Sequence, residues 1–220
     1  MSPPRQTSAD ASTEIANAEL AAERDLRAAL RRGPGICVLT GGQTGVDTAA
    51  ANAALDANLP VHLVFPRGLR QEDGPITAAR RRALRGAVLH ELASDEFRHR
   101  TRTCVYVSDA VILIDPAGGE GCRETQRAAR DLGRPLFTLA GERRTRPGEP
   151  GEPGECPERG SGSADPDEVA DWIERTLARV LMVAGCRGSL LAAAGCERLA
   201  AGQAAVVAAA ARRRHDQLTT

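Results

Sequence analysis

The stretch ICVLTGGQTGVDTAA, residues 36–50, passes from a β-branched apolar run to an alanine-rich run. Residues 36–40 predict a short buried strand, and residues 44–58 predict a helix. The turn between them contains three glycines, Gly41, Gly42 and Gly45. Because glycine has no Cβ, such a turn lets the backbone approach a phosphate at the N-terminus of the following helix.

The alternation of strands and helices continues along the chain. Further strands are predicted at 60–65, 87–92, 110–115, 135–140 and 180–185. Helices are predicted at 94–109, 121–133, 166–179 and 189–214, and a short one follows Ile76, after a loop at 66–76. This pattern predicts an α/β protein, with a Rossmann-like, doubly wound and mostly parallel sheet that carries helices on both faces.

Composition divides the chain into three parts. Residues 1–34 are expected to form an N-terminal extension that is mostly helical, because residues 10–32 are rich in strong helix formers. Residues 35–140 and 165–220 are expected to form a single Rossmann-like domain. Residues 141–164 are rich in Gly, Pro and Glu and are predicted to be a disordered insertion.

Charge and hydropathy exclude several classes of function. Lys and Arg total 29, as do Asp and Glu, so the chain does not resemble a nucleic-acid binder. No apolar run has the length of a membrane span, and the polar N-terminus lacks the apolar core of a signal peptide. The six cysteines show no metal-binding spacing. We therefore expect a cytoplasmic protein with free thiols, no membrane or nucleic-acid partner and no structural metal.

A second glycine-rich turn follows the strand predicted at 110–115. It contains Gly118, Gly119 and Gly121 and leads into the helix at 121–133. Ligands of parallel sheets bind beyond the carboxyl ends of the strands, so two helix N-termini would face one pocket and favour an anion. For each turn taken alone, an alternative explanation is that its glycines only relieve steric crowding between the strand and the helix.

Other candidate residues surround these turns. Gln43, Thr44 and Asp47 would support the first turn, and an acidic N-terminal residue also stabilises a helix without any ligand. Arg70, Glu72 and Asp73 would contact a polar heterocycle or ribose hydroxyls, although a capped turn with solvated charges explains them equally. Cys122 and Thr125 lie on the second helix, where the pKa of Cys122 is expected to fall. Cys122 is then a reactive thiol, a soft metal ligand or a structural residue.

These motifs resemble the molybdenum-cofactor carrier proteins, which belong to a Rossmann-like superfamily that includes the Lonely Guy phosphoribohydrolases. The resemblance covers about 36–140 and 165–189. The matching stretches are GGQTGVD (41–47), GLRQEDGPI (68–76), RT (Arg100–Thr101), SDAVILI (108–114), the Gly121 turn with Thr125, ARDLGRP (129–135) and VLMVAGCRGS (180–189). The chain departs from the family's usual residues at Thr103, Cys104, Cys122, Met182 and Cys186.

The resemblance implies a carrier or storage protein that binds the pterin phosphate of the molybdenum cofactor. It also implies a homo-oligomer, with molybdoenzymes as possible partners and no catalytic residue, and it adds Arg100 and Thr101 to the candidate ligand residues. The alternatives are a nucleotide-processing phosphoribohydrolase and a nucleotide sensor without chemistry. Thr125 occupies the position of the hydrolases' catalytic Glu. Glu124 is one residue away, about 100° around the helix, and is therefore expected to point elsewhere. In a hydrolase, Glu72 or Asp73 would then act in its place.

Overall fold

The computed structural model of the 220-residue chain describes residues 8–140 and 165–220. The strands are β1 (Cys37–Thr40), β2 (Val61–Phe65), β3 (Arg70–Gln71), β4 (Gly74–Pro75), β5 (Val88–Glu91), β6 (Ala110–Asp115), β7 (Leu136–Ala140) and β8 (Val180–Gly185). The helices of the described residues are α1 (Ser8–Leu30), α2 (Val46–Asp56), α3 (Ala78–Ala83), α4 (Phe97–Val107), α5 (Glu120–Asp131), α6 (Pro166–Thr176), α7 (Gly188–Ala194) and α8 (Glu197–Thr219).

Six of the strands form one parallel sheet in the order β5-β2-β1-β8-β6-β7. The helices form two groups: α2 and α6 pack against α8, and α1 and α5 pack against α4. Because helices cover the sheet, residues 110–114 of β6 and 180–184 of β8 are all buried, as expected for central parallel strands. The predicted α/β, Rossmann-like fold class is confirmed.

The last strand occupies the centre of the sheet. In β8, Val180 is paired with Cys37 of β1, and Leu181 is paired with Ala110 of β6. The carboxyl ends of β1, β6 and β8 therefore meet at one edge of the sheet. Three connections leave from this edge, and each leads into a helix.

Several predicted elements differ from those observed. The loop predicted at 66–76 contains the antiparallel β3–β4 hairpin, in which Gln71 pairs with Gly74. The helix predicted at 189–214 is two helices, because Gly195 adopts a left-handed conformation (φ 65°) that ends α7. The other helices and strands lie within about three residues of their predicted bounds. Asp165 caps α6, since its carboxylate accepts the N–H of Asp167 at 2.9 Å.

Helix α1 packs against α4 of the domain. The hydroxyl of Thr103 donates to the Glu23 carboxylate at 2.8 Å, and Leu26 and Leu30 are buried. The predicted disordered insertion at 141–164 lies outside the described residues. Within the part of the chain that is described, no helix is both long enough and apolar enough to cross a bilayer.

One prediction concerns a histidine pair on adjacent strands, in which Nδ1 of His62 lies 2.9 Å from Nε2 of His90. Burial lowers both pKa values, and the neighbouring His90 helps to lower the pKa of His62 to about 4. The unfolded chain therefore binds more protons than the folded one between pH 6.5 and pH 4, and the free energy of unfolding falls as the pH drops through this window.

We expect this pair to lower the free energy of unfolding of the wild-type protein by about 1–2 kcal/mol on acidification, after allowance for the part of each ring that faces water. A His62→Gln/His90→Gln variant should show a shallower pH dependence. Urea midpoints measured at pH 7, 5.5 and 4.5 test this. Parallel pH profiles for wild type and variant would contradict it.

Candidate functional site

A cavity of about 450 Å³ lies beyond the carboxyl ends of the central strands. The predicted site residues that line it are Gln43, Asp47, Glu72, Arg100, Thr101, Gly119, Gly121, Cys122 and Thr125. Residues that also line it but were not chosen from the sequence include Phe97, Arg98, Glu120, Arg127, Met182, Ala184, Gly185, Cys186 and Arg187. The N-terminal ends of α2 and α5 thus border one cavity, as the two glycine turns predicted.

Seven of the predicted residues are not among those lining the cavity. They are Gly41, Gly42, Thr44, Gly45, Arg70, Asp73 and Gly118. The guanidinium of Arg70 lies over the Phe97 ring, 5.7 Å from its centroid, and Asp73 forms a 3.1 Å ion pair with Arg80. The predicted roles of Arg70 and Asp73 in reading a heterocycle are therefore not supported by their positions.

The glycines of the first turn make room for protein atoms. At Gly42 (φ 68°) a Cβ would lie 2.5 Å from the Phe65 ring, and at Gly45 (φ 78°) it would lie 2.5 Å from the carbonyl oxygen of Cys186. At Gly41 it would overlap the guanidinium of Arg100. The prediction that these glycines clear space for a phosphate is corrected accordingly, since side chains and backbone fill that space.

The second turn is more open. A Cβ at Gly121 would meet no atom within 4 Å, whereas one at Gly119 would lie 2.8 Å from the Leu190 side chain. Gly118 (φ 69°) donates its N–H to the Asp115 carboxylate at 2.9 Å. The first N–H groups of a helix have no partner within it, and in α5 the N-cap residue, Gly119, supplies no side-chain hydrogen bond to them.

A buried ion pair forms one wall of the cavity. Nη1 of Arg100 lies 3.4 Å from Oδ2 of Asp47, which also accepts the backbone N–H of Gln43 at 3.1 Å. Burial raises the pKa of Asp47, and the guanidinium and the Gln43 N–H oppose that rise. Two buried nitrogens of this wall, Nε of Arg100 and Nε2 of Gln43, have no hydrogen-bond partner among the described residues.

Glu72 joins three segments of the chain. Its carboxylate accepts hydrogen bonds from the hydroxyls of Thr44 and Ser189, the latter at 2.6 Å, and its N–H donates to Oε1 of Gln43 at 2.9 Å. Partial burial raises the pKa of Glu72, but the bonds from Ser189 and Thr44 outweigh it and the pKa is lowered. Glu72 therefore ties the β3–β4 hairpin to the first turn and to α7.

The orientation predicted for Glu124 is wrong. Its side chain lines the cavity and is largely buried, with Oε1 3.0 Å from Nε of Arg98 and Oε2 3.5 Å from Nη1 of Arg127. Thr125 also lines the cavity, and its hydroxyl donates to the Gly121 carbonyl at 3.0 Å. The rotation of about 100° between Thr125 and Glu124 does not remove Glu124 from the cavity wall, because residues over a wide arc of α5 line the cavity.

The two cysteines of the cavity lie together. Sγ of Cys122 is 3.6 Å from Sγ of Cys186, whose thiol lies 3.1 Å from Oδ1 of Asp115. The pKa of Cys122 was expected to fall at the helix N-terminus. It is raised instead, by its hydrogen bond to Cys186, by burial and by the nearby Asp115 carboxylate.

Comparison with known proteins identifies a family and a solved structure that are similar to this chain. The model of the circularly permutated YpsA SLOG family matches residues 38–201. The crystal structure of the "Putative molybdenum carrier protein" of Syntrophus aciditrophicus SB superposes with a TM-score of 0.57 and 22% sequence identity, over 79% of this chain and 95% of that one. No curated protein matches the chain. Because the family model covers most of its length, the chain belongs to the circularly permutated YpsA SLOG family.

The packing around the end of β8 gives a testable prediction. A Cβ at Gly185 would overlap the carbonyl oxygen of Ile114 and lie 2.8 Å from the Val46 side chain. Because backbone blocks this position, Gly185→Ala should destabilise the fold by about 3 kcal/mol. Gly121→Ala is the matched control, since its Cβ enters open space in a helix, and it should change stability by less than about 1 kcal/mol. Equal urea midpoints for the two variants would contradict the close contact.

Proposed function

We propose that this member of the circularly permutated YpsA SLOG family binds a small phosphorylated ligand in the cavity between α2 and α5. The ligand class that we favour is a phosphorylated pterin, which makes the protein a carrier or storage protein for the molybdenum cofactor. The observation that carries the proposal is the cavity of about 450 Å³ beyond the carboxyl ends of the central strands, into which the N-terminus of α5 opens without a side-chain cap. Parallel sheets bind their ligands at this edge, and a free helix N-terminus favours an anion.

The N-terminus of α5 is the proposed position of the phosphate. Its first N–H groups have no side-chain cap, and Gly121 leaves open space beside them. A helix N-terminus contributes about 0.3–2 kcal/mol toward an anion, and each hydrogen bond to a charged group contributes about 1.5–3 kcal/mol. A few such contacts give at most micromolar affinity, so the rest of the ligand must also bind.

The remaining wall suits a flat heterocycle with amino and carbonyl groups. The Phe97 ring lies in this wall with the Arg70 guanidinium 5.7 Å from its centroid, and Gln43 and Thr101 add polar side chains. A volume of about 450 Å³ lies in the usual range for small-molecule sites. The structural neighbour's name adds molybdenum to this chemistry. As the family resemblance suggests, the proposal includes a homo-oligomer that delivers its ligand to molybdoenzymes.

An enzymatic alternative rests on Glu124. Its carboxylate lines the cavity near the proposed phosphate position, where it could act on the glycosidic bond of a nucleoside monophosphate. Its two arginine partners, Arg98 at 3.0 Å and Arg127 at 3.5 Å, fix the position of the carboxylate in the cavity wall. The second candidate function is therefore a nucleotide-processing phosphoribohydrolase, and a nucleotide that binds without base release would identify a sensor.

The carrier proposal is tested with the protein purified from its own host without exposure to air. Native mass spectrometry and a molybdenum assay should find pterin and molybdenum at about one per chain. Gly121→Asp should reduce that occupancy at least about tenfold, because its carboxylate would enter the cavity at the helix N-terminus. Gly121→Asn, which has the same shape without the charge, should retain most of the ligand.

The same variants separate the possible outcomes. A bound nucleotide without molybdenum would overturn the carrier proposal. Equal occupancy in the Asp and Asn variants would overturn the proposed phosphate position. Thermal unfolding of both variants distinguishes lost binding from lost folding.

The hydrolase alternative is tested by base release from adenosine monophosphate. If Glu124 is the catalytic residue, Glu124→Gln should lower kcat at least about 100-fold. Asp131→Asn removes a carboxylate from the same helix outside the cavity and should leave kcat unchanged. Absence of base release by the wild-type protein would overturn this alternative.

A further inference from the structure

A compact set of metal-ligating atoms lies where three elements end. Asp115 ends β6, Cys122 lies in the first turn of α5, and Cys186 directly follows β8. Oδ1 of Asp115 and the two Sγ atoms all lie within 4.8 Å of one another. The residues are far apart in sequence, but the parallel sheet brings their strand ends to one edge.

We propose that Asp115, Cys122 and Cys186 bind a divalent cation that prefers sulfur ligands and has a filled d shell, such as Zn²⁺. Zn–S bonds of about 2.3 Å at a tetrahedral centre place two sulfurs about 3.8 Å apart, and a sulfur and a carboxylate oxygen about 3.6 Å apart. The corresponding separations are 3.6 Å between Cys122 and Cys186 and 3.1 Å between Cys186 and Asp115. The three ligand atoms therefore need to move only slightly to enclose the cation.

The site has a route from the cavity and room for a fourth ligand. Met182, Ala184 and Cys186 alternate along β8 and its end, and all three line the cavity, as does Cys122 on α5. A cation held by these sulfurs would thus face the cavity. Three protein ligands with a fourth position open to water or a bound molecule are the arrangement of accessible zinc centres.

The charges favour a cation over a reactive thiol pair. Sγ of Cys186 lies 3.1 Å from Oδ1 of Asp115 and 3.6 Å from Sγ of Cys122, so a thiolate formed here without a cation would face a carboxylate. A divalent cation reverses this effect, because it replaces the two thiol protons and offsets two of the three negative charges of two thiolates and one carboxylate. The reaction is M²⁺ + 2 RSH → M(SR)₂ + 2 H⁺, with the carboxylate as the third ligand.

The local backbone already orients the carboxylate. Gly118 donates its N–H to Oδ1 of Asp115 at 2.9 Å and adopts the left-handed conformation that this short loop requires. Hydrogen bonds of this kind fix the direction of a ligating carboxylate. A disulfide between Cys122 and Cys186 would need no carboxylate, would require the sulfurs to close from 3.6 Å to about 2.05 Å, and would need an external oxidant.

The test uses the full chain in a Cys156→Ser background, because Cys156 lies outside the described residues. After removal of bound metal with a chelator, equilibrium dialysis against Zn²⁺ should give one ion per chain. Binding should release two protons per ion in weakly buffered solution. Cd²⁺ should give the near-ultraviolet charge-transfer absorption of a thiolate complex, and this signal needs no further variant.

Substitutions assign the ligands. Cys122→Ser, Cys186→Ser and Asp115→Asn should each weaken Zn²⁺ binding at least about tenfold. Cys37→Ser is the matched control, since Cys37 is also buried but lies at the opposite end of β1 from the cavity, and it should bind as the parent does.

Three results would overturn the proposal. They are the absence of Zn²⁺ binding and of the Cd²⁺ band in the folded parent, equal binding by parent and ligand variants, and rapid loss of the two thiols to hydrogen peroxide in a protein that binds no metal. The last result would identify a redox pair. All of these readouts are independent of the phosphorylated ligand, so failure here leaves the proposed function standing.

Discussion

The close approach of the end of β8 to the first glycine turn is the constraint on which the rest of the structure depends. The N–H of Val46 donates to the Cys186 carbonyl at 3.0 Å, and the N–H of Gly188 donates to the Thr44 hydroxyl at 3.1 Å. No Cβ fits at Gly45 or Gly185. These contacts hold the last strand between β1 and β6, and so they set the edge of the sheet that forms the cavity.

This constraint divides the glycines into two kinds. Gly42 and Gly45 serve the packing of the first turn, and their left-handed conformations are ones that side chains rarely adopt. At Gly121, in contrast, a Cβ would meet no atom within 4 Å, and this residue borders the cavity. A glycine-rich turn read from sequence therefore combines residues that hold the scaffold with residues that leave a ligand room, and only the surrounding atoms distinguish them.

The sequence predicted the fold class and most elements, because hydrophobic periodicity and glycine turns are local signals. It did not predict that β8 lies between β1 and β6, which depends on contacts between distant residues. The break at Gly195 was missed because a single glycine does not outweigh an alanine-rich segment. The pairing of Cys122 with Cys186 was missed for the same reason as the strand order, since 64 residues separate them.

The charges of the cavity indicate how it would choose a ligand. Each of its four arginines has its own carboxylate nearby: Arg98 pairs with Glu124, Arg127 with Glu120 and Arg100 with Asp47, and Arg187 lies 4.0 Å from Glu72. Since these charges cancel in pairs, net positive charge cannot be the main attraction for an anion. Recognition must then depend on fixed N–H groups, whose direction selects a ligand by shape and hydrogen bonding, and such binding should weaken only modestly as salt rises.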